Sequence, residues 1–176
     1  MKTTASLSQI GVCLACALTL MPLPSPAQPA AGSCKVVSTS QDNWQIVDAG
    51  PFSLRLPPEY RREQVQGIDS LVGRWESSPR HLVAFDWGPY SNDLRQARAL
   101  LRDVVECSEV IDGYGARVVM GLDSEGYWES RTRIRKYVVT ASWREIGPLT
   151  LTATGSSASE APTLLAIIRS VAFEKR

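Results

Sequence analysis

The chain of 176 residues holds one histidine, His81. A lone imidazole argues against a histidine-built metal centre, but it can act as a general base. Ser70 and Asp86 supply the other two residue types of a serine–histidine–aspartate relay. Such a relay needs its serine on a strained, exposed turn with donors ready for an oxyanion. Ser70 lacks the Gly-x-Ser-x-Gly setting, and His81 opens a strand-like run. A small secreted hydrolase built on Ser70, His81 and Asp86 is therefore the alternative reading. A non-enzymatic role comes first, with no catalytic residue assigned.

Arg131, Arg133 and Arg135 alternate, so on a strand they project from one face as a basic ladder. Each guanidinium is a planar fork of donors suited to a carboxylate or phosphate. The competing reading is a solvated face neutralised by nearby acids. Trp75, Trp87, Tyr90, Tyr127 and Trp128 are amphipathic aromatics that line a peptide or carbohydrate groove if they cluster, and fill the core otherwise. The binding surface expected from these patterns comprises Arg131, Arg133, Arg135, Trp87, Tyr90 and Trp128. Asp123, Glu125 and Glu129 crowd acidic oxygens near one turn, but calcium-loop spacing is absent and a hairpin turn is the simpler reading. With no phosphate loop, dinucleotide fingerprint or Cys-x-x-Cys pair downstream of the leader, no cofactor and no metal is expected.

Composition narrows the function classes. Hydrophobic residues make up 44% and charged residues 21%, enough for an ordinary globular core. Lys plus Arg total 19 against 18 for Asp plus Glu, which excludes a strongly basic nucleic-acid binder. Lys2 precedes an uncharged apolar run from Ile10 to Leu23. The run falls short of the roughly 20 residues of a membrane span and matches a secretory leader. Ser25-Pro26-Ala27 is a small-x-small cleavage site, so cleavage is expected after Ala27, with Ala30 and Ala31 as alternatives. Removing Lys2 leaves as many basic as acidic residues, with no transmembrane segment in what remains. A periplasmic or secreted location follows.

Cys13 and Cys16 lie in the leader and leave with it. Cys34 and Cys107 remain, and an oxidising compartment favours a disulfide between them. Lipidation of Cys34, after Ala31-Gly32-Ser33, is the alternative, although no apolar residue stands three positions before that cysteine.

Behind these residues stand the elements that must position them. Residues 28–43 read as a linker and 44–176 as one domain. Phe52, Leu54 and Leu56 alternate with polar residues, and Pro57-Pro58 ends that strand. Further strands are expected over Val65–Glu76, Leu82–Trp87 and Ala116–Leu122. A long one is expected over Tyr127–Arg144, with a hairpin partner from Leu149. Leu94, Ala97, Leu101, Val104 and Val105 form a stripe at helical spacing, which predicts a helix from the Ser91-Asn92-Asp93 cap to about Glu109. A second helix carries Leu164, Leu165, Ile167, Ile168 and Val171, capped by Ser159, and Phe173 closes the core. Three strands, a helix, three strands and a helix argue an α+β fold: a mostly antiparallel sheet of about six strands with two main helices.

That order, the opening string PFSLRLP and the closing SVAF after an amphipathic helix resemble the PsbP-like α/β/α sandwich family over about residues 44–173. The resemblance implies an exported, non-enzymatic accessory or binding module of a bacterial envelope, docked on an envelope protein or membrane complex. It carries over no catalytic or ligand motif.

Overall fold

The computed structural model describes residues 34–37, 39–89, 91, 94–124, 127–129 and 132–174, the side chains of 127–129 and 132–134 excepted. The expected leader and most of the Ala27–Cys34 stretch lie outside them.

Phe52, Leu54 and Leu56 turn inward from β2 (Phe52–Leu56), as their alternation requires. Antiparallel neighbours flank it, β1 (Gln45–Asp48) on one side and β12 (Ala172–Phe173) on the other, giving a three-stranded sheet. The large sheet has seven strands, all antiparallel. From one edge to the other they are β3 (Arg61–Glu63), β4 (Leu71–Ser78), β5 (His81–Trp87), β11 (Leu149–Gly155), β10 (Tyr137–Trp143), β7 (Tyr114–Asp123) and β6 (Leu101–Ile111). A separate hairpin pairs β8 (Tyr127–Glu129) with β9 (Thr132–Ile134).

One face of the large sheet presents Trp75, Val83, Phe85, Leu151, Val139, Trp143 and Val118, all buried. α2 (Ala161–Arg169) packs there against β10, β11 and β2, between the two sheets. Leu164 through Ile168 are all buried, because sheet lies on more than one side of the helix. Ser159 does not cap it: a 3-10 turn, Ala158–Glu160, leads in, and the Ser159 hydroxyl bonds to that of Ser157 at 2.7 Å. The opposite face carries α1 (Leu94–Ala99), whose Leu94 is buried against β7 and β10.

The two-helix α/β/α sandwich is corrected. Among the described residues only α2, with nine residues, exceeds two turns, and strands dominate. The expected helix from 94 to 109 stops at Ala99, and its remainder is the 11-residue β6. Of the helical stripe only Leu94 is buried, whereas Val104 and Val105 are exposed. The reason lies downstream. Asp112 and Gly113 both adopt positive φ, 51° and 86°, a two-residue hairpin turn that Asp-Gly favours. That turn forces residues 101–111 to run back along β7, and a strand period of two then buries Cys107 and Ile111. Asp103, at φ 52°, marks a bulge between Arg102 and Val105 where the register shifts. Opposite it, a Cβ added to Gly121 would lie 2.5 Å from the Arg102 carbonyl oxygen, so the bulge needs glycine there.

The expected long strand over 127–144 is likewise broken into β8, β9 and β10. β8 and β9 pair antiparallel, with Glu129 opposite Thr132, and β10 begins at Tyr137.

Cys34 and Cys107 form a disulfide with Cα atoms 5.2 Å apart, fastening the N-terminal segment to β6. Arg169, in the last turn of α2, reinforces the join. It donates to the carbonyls of Cys34 and Val36, each at 2.9 Å, and to Glu109 at 2.7 Å. Glu109 also accepts the Cys34 N–H at 3.2 Å.

Candidate functional site: an arginine-lined groove

An open groove of about 1070 Å³ lies on the sheet face away from α2. Its floor is built by strand alternation. Glu106, Ser108 and Val110 of β6, Arg117 and Val119 of β7 and Ser142 of β10 point to this side because their neighbours in sequence fill the core. The register sets Ser108, Arg117 and Ser142 in one row across three strands. Arg117 therefore stands between two small side chains, with room above them.

α1 forms one wall. Arg95 and Arg98 are three residues apart, so both project from one side of the helix toward the groove. Arg144 and Glu145, in the turn after β10, close one end. Four arginines thus face Glu106, Glu109 and Glu145, and Glu109 is already committed to Arg169.

Glu106 is shared. Arg117 donates to one of its carboxylate oxygens, and Arg98 stands 3.6 Å from the other. The Arg98 and Arg117 side chains are 67% and 59% exposed, so these pairs are solvent-screened. Ion pairs of that kind contribute about 0–1 kcal/mol. An incoming carboxylate or phosphate can engage the same guanidiniums at little cost, each retaining donors that Glu106 does not use.

Other residues singled out in the sequence fall elsewhere. Arg131 and Tyr90 lie outside the described residues. Trp128 and Arg133 are cross-strand partners on the β8–β9 hairpin, and Arg135, just beyond it, is exposed. Trp87 is half-buried at the end of β5, stacked on Phe52 with centroids 5.9 Å apart. Trp75 is buried against Phe85, so Trp75 and Trp87 fill and edge the core instead of lining the groove. Asp123 ends β7 and donates its N–H to the Lys136 carbonyl at 2.8 Å.

Ser70, His81 and Asp86 are not brought together. Asp86 is five residues along β5 from His81, about 17 Å at strand spacing, and Ser70 sits beside Gly88 at that same far end. His81 instead bonds Ser78 through Nδ1 at 2.8 Å and Glu160 through Nε2 at 2.6 Å. The other Glu160 oxygen accepts the Ser156 N–H at 3.2 Å. This chain ties the β4–β5 turn to the start of α2. Ser78 and Glu160 escaped the sequence reading because Glu160 is 79 positions from His81, with no local pattern joining them.

A smaller hollow, about 340 Å³, opens between β1 and β3. The Arg62 guanidinium stands 6.0 Å from the Trp75 ring centroid there. Burial, then the neighbouring Glu59 charge, pushes the Tyr60 phenol up to about 12, against the opposing effect of its Ser77 hydrogen bond.

Among the described residues no three His, Cys, Asp or Glu side chains group as metal ligands, and no helix is long and apolar enough to cross a membrane. The chain matches no protein-family model and no curated protein.

Proposed function

We propose that the protein is an exported, non-enzymatic binding module of a bacterial envelope, and that the arginine-lined groove holds its ligand. The observation that carries the reading is the groove itself: Arg95, Arg98, Arg117 and Arg144 gather around one open concavity on the sheet, and Arg98 and Arg117 are exposed there and share a single carboxylate, Glu106. Guanidiniums so placed recognise planar anions, so the ligand presents carboxylate or phosphate groups. Export is supported by the leader-like N-terminus and by the Cys34–Cys107 disulfide, a bond that persists in oxidising compartments.

Chemical crosslinking of the tagged protein in its native envelope, followed by mass spectrometry, tests the assignment. The Arg98→Ser/Arg117→Ser variant should retain its circular dichroism spectrum and lose the captured partner. Undiminished capture would reject the groove. The Arg131→Ser/Arg133→Ser/Arg135→Ser variant, run alongside, should capture as the parent does; loss there would move the surface to the β8–β9 hairpin.

A further inference from the structure

The large sheet ends in two very different edges. β3, at one end, has three residues. β6, at the other, has 11 and pairs only with β7 among the described strands. Proteins usually blunt a long edge, because its unpaired N–H and C=O groups template another strand. Here the blunting is confined to one end. The bulge at Asp103 interrupts Arg102–Val104, but from Val105 to Ile111 every residue keeps continuous register with β7. Two apolar side chains along that regular stretch are exposed: Val105, 51%, on the side facing α2, where Cys34 is fastened to the neighbouring Cys107, and Val110, 76%, on the groove side.

We propose that β6 accepts an extended peptide as an eighth strand of the large sheet, its carboxylate side chains directed to the arginine groove. The inference rests on the groove being the binding site and names the kind of ligand it takes. An added strand supplies main-chain hydrogen bonds to the open edge, and its alternate side chains fall on the two faces. On the groove face the position opposite Ser108 is decisive. Ser108 is short, so a carboxylate there lies two strand spacings, about 10 Å, from the Arg117 backbone, within reach of the two long side chains. On the other face an aliphatic residue covers Val105.

A second copy of this chain fits the edge less well. Both acids of the regular stretch, Val105–Ile111, already have partners, Glu106 with Arg98 and Arg117, and Glu109 with Arg169. Self-pairing would bring two arginine-lined grooves side by side and match neither. A carboxylate-bearing peptide matches both edge and charge.

The probe is an acetylated, amidated peptide of alternating valine and glutamate, seven residues long. Binding is followed by fluorescence anisotropy, and hydrogen exchange reports the amides of Val105–Ile111. In a strand all the valines present their N–H groups to one edge and all the glutamates to the other. N-methylating either set therefore blocks one edge. Strand addition requires one methylated peptide to lose about tenfold or more in affinity while the other binds like the parent. It also requires slowed exchange in β6, and about tenfold weaker binding to Arg117→Ser. Arginine-dependent binding that both methylated peptides retain would overturn strand addition and leave the groove reading standing. No binding, or β6 amides already protected in a protein that sediments as a dimer, would also overturn it. The native-envelope capture judges the groove separately.

Discussion

Replacing both cysteines, as Cys34→Ala/Cys107→Ala, should lower the unfolding free energy by roughly 4 kcal/mol. The figure follows from the 73-residue separation of the two cysteines, through the chain entropy that the crosslink removes from the unfolded state. The folded state should change little. Arg169 and Glu109 hold residues 34–36 by hydrogen bonds that do not involve sulfur, so the segment stays docked without its covalent tie. Nearly all the loss should therefore arise in the unfolded chain, which expands when released. Equilibrium urea unfolding separates the two effects, since the denaturant slope rises with the surface exposed on unfolding. The expected result is a lower midpoint, a steeper slope and an unchanged native near-ultraviolet spectrum. Domains of this kind are stable by only about 5–15 kcal/mol, so such a loss is large. A loss below about 1 kcal/mol would refute the argument, because the loop length alone predicts more. A disturbed native spectrum would refute the role given to Arg169.

Two further outcomes follow from the packing. The Tyr60 phenol titrates at about 12 when folded and near 10 when unfolded, so the folded state holds its proton more tightly. Its contribution is complete below the unfolded value and disappears as pH rises through the folded one, roughly 2–3 kcal/mol over that window. Urea midpoints between about pH 9 and 11.5 should fall more steeply for the parent than for Tyr60→Phe; equal slopes would show that Tyr60 does not govern that range. Gly121→Ala should cost about 1–3 kcal/mol, because the new methyl meets the Arg102 carbonyl across the bulge. A neutral thermal shift would show that the bulge can relax.

How far the sequence could be read depended on whether competing signals were local. Phe52, Leu54 and Leu56, or Leu149, Leu151 and Ala153, alternate without a rival pattern, and both segments are strands with those residues inward. The apolar positions of α2 were legible for the same reason, and Phe173 does pack near Phe52 and Trp143. Between 94 and 111 two patterns competed. The leucine and valine spacing fits one helix turn after another, but Asp112-Gly113 specifies a hairpin, and a hairpin requires a strand before it. The turn prevailed because nine residues of β6 pair in register with β7, which buries Cys107 where Cys34 can reach it. The misread helix carried the two-helix architecture with it.

The same turn decides whether the groove can be seen from the sequence. If residues 112 and 113 are the two central positions of a hairpin, Ile111 pairs with Tyr114 and the register runs back from there: Ser108 meets Arg117 and Glu106 meets Val119. Arg117, Glu106 and Ser108 then share one face, which is half of the candidate site. The other half was beyond local reading. Arg98 reaches Glu106 only because α1 ends at Ala99 and lies over β7 and β10, an arrangement that depends on the tertiary fold. The alternating arginines at 131, 133 and 135 drew attention because alternation is visible along a chain. Those at 98 and 117 did not, because what joins them is a shared carboxylate on a third element. A groove assembled from a helix, three strands and a turn leaves its trace in register, and one Asp-Gly pair sets the β6–β7 register here.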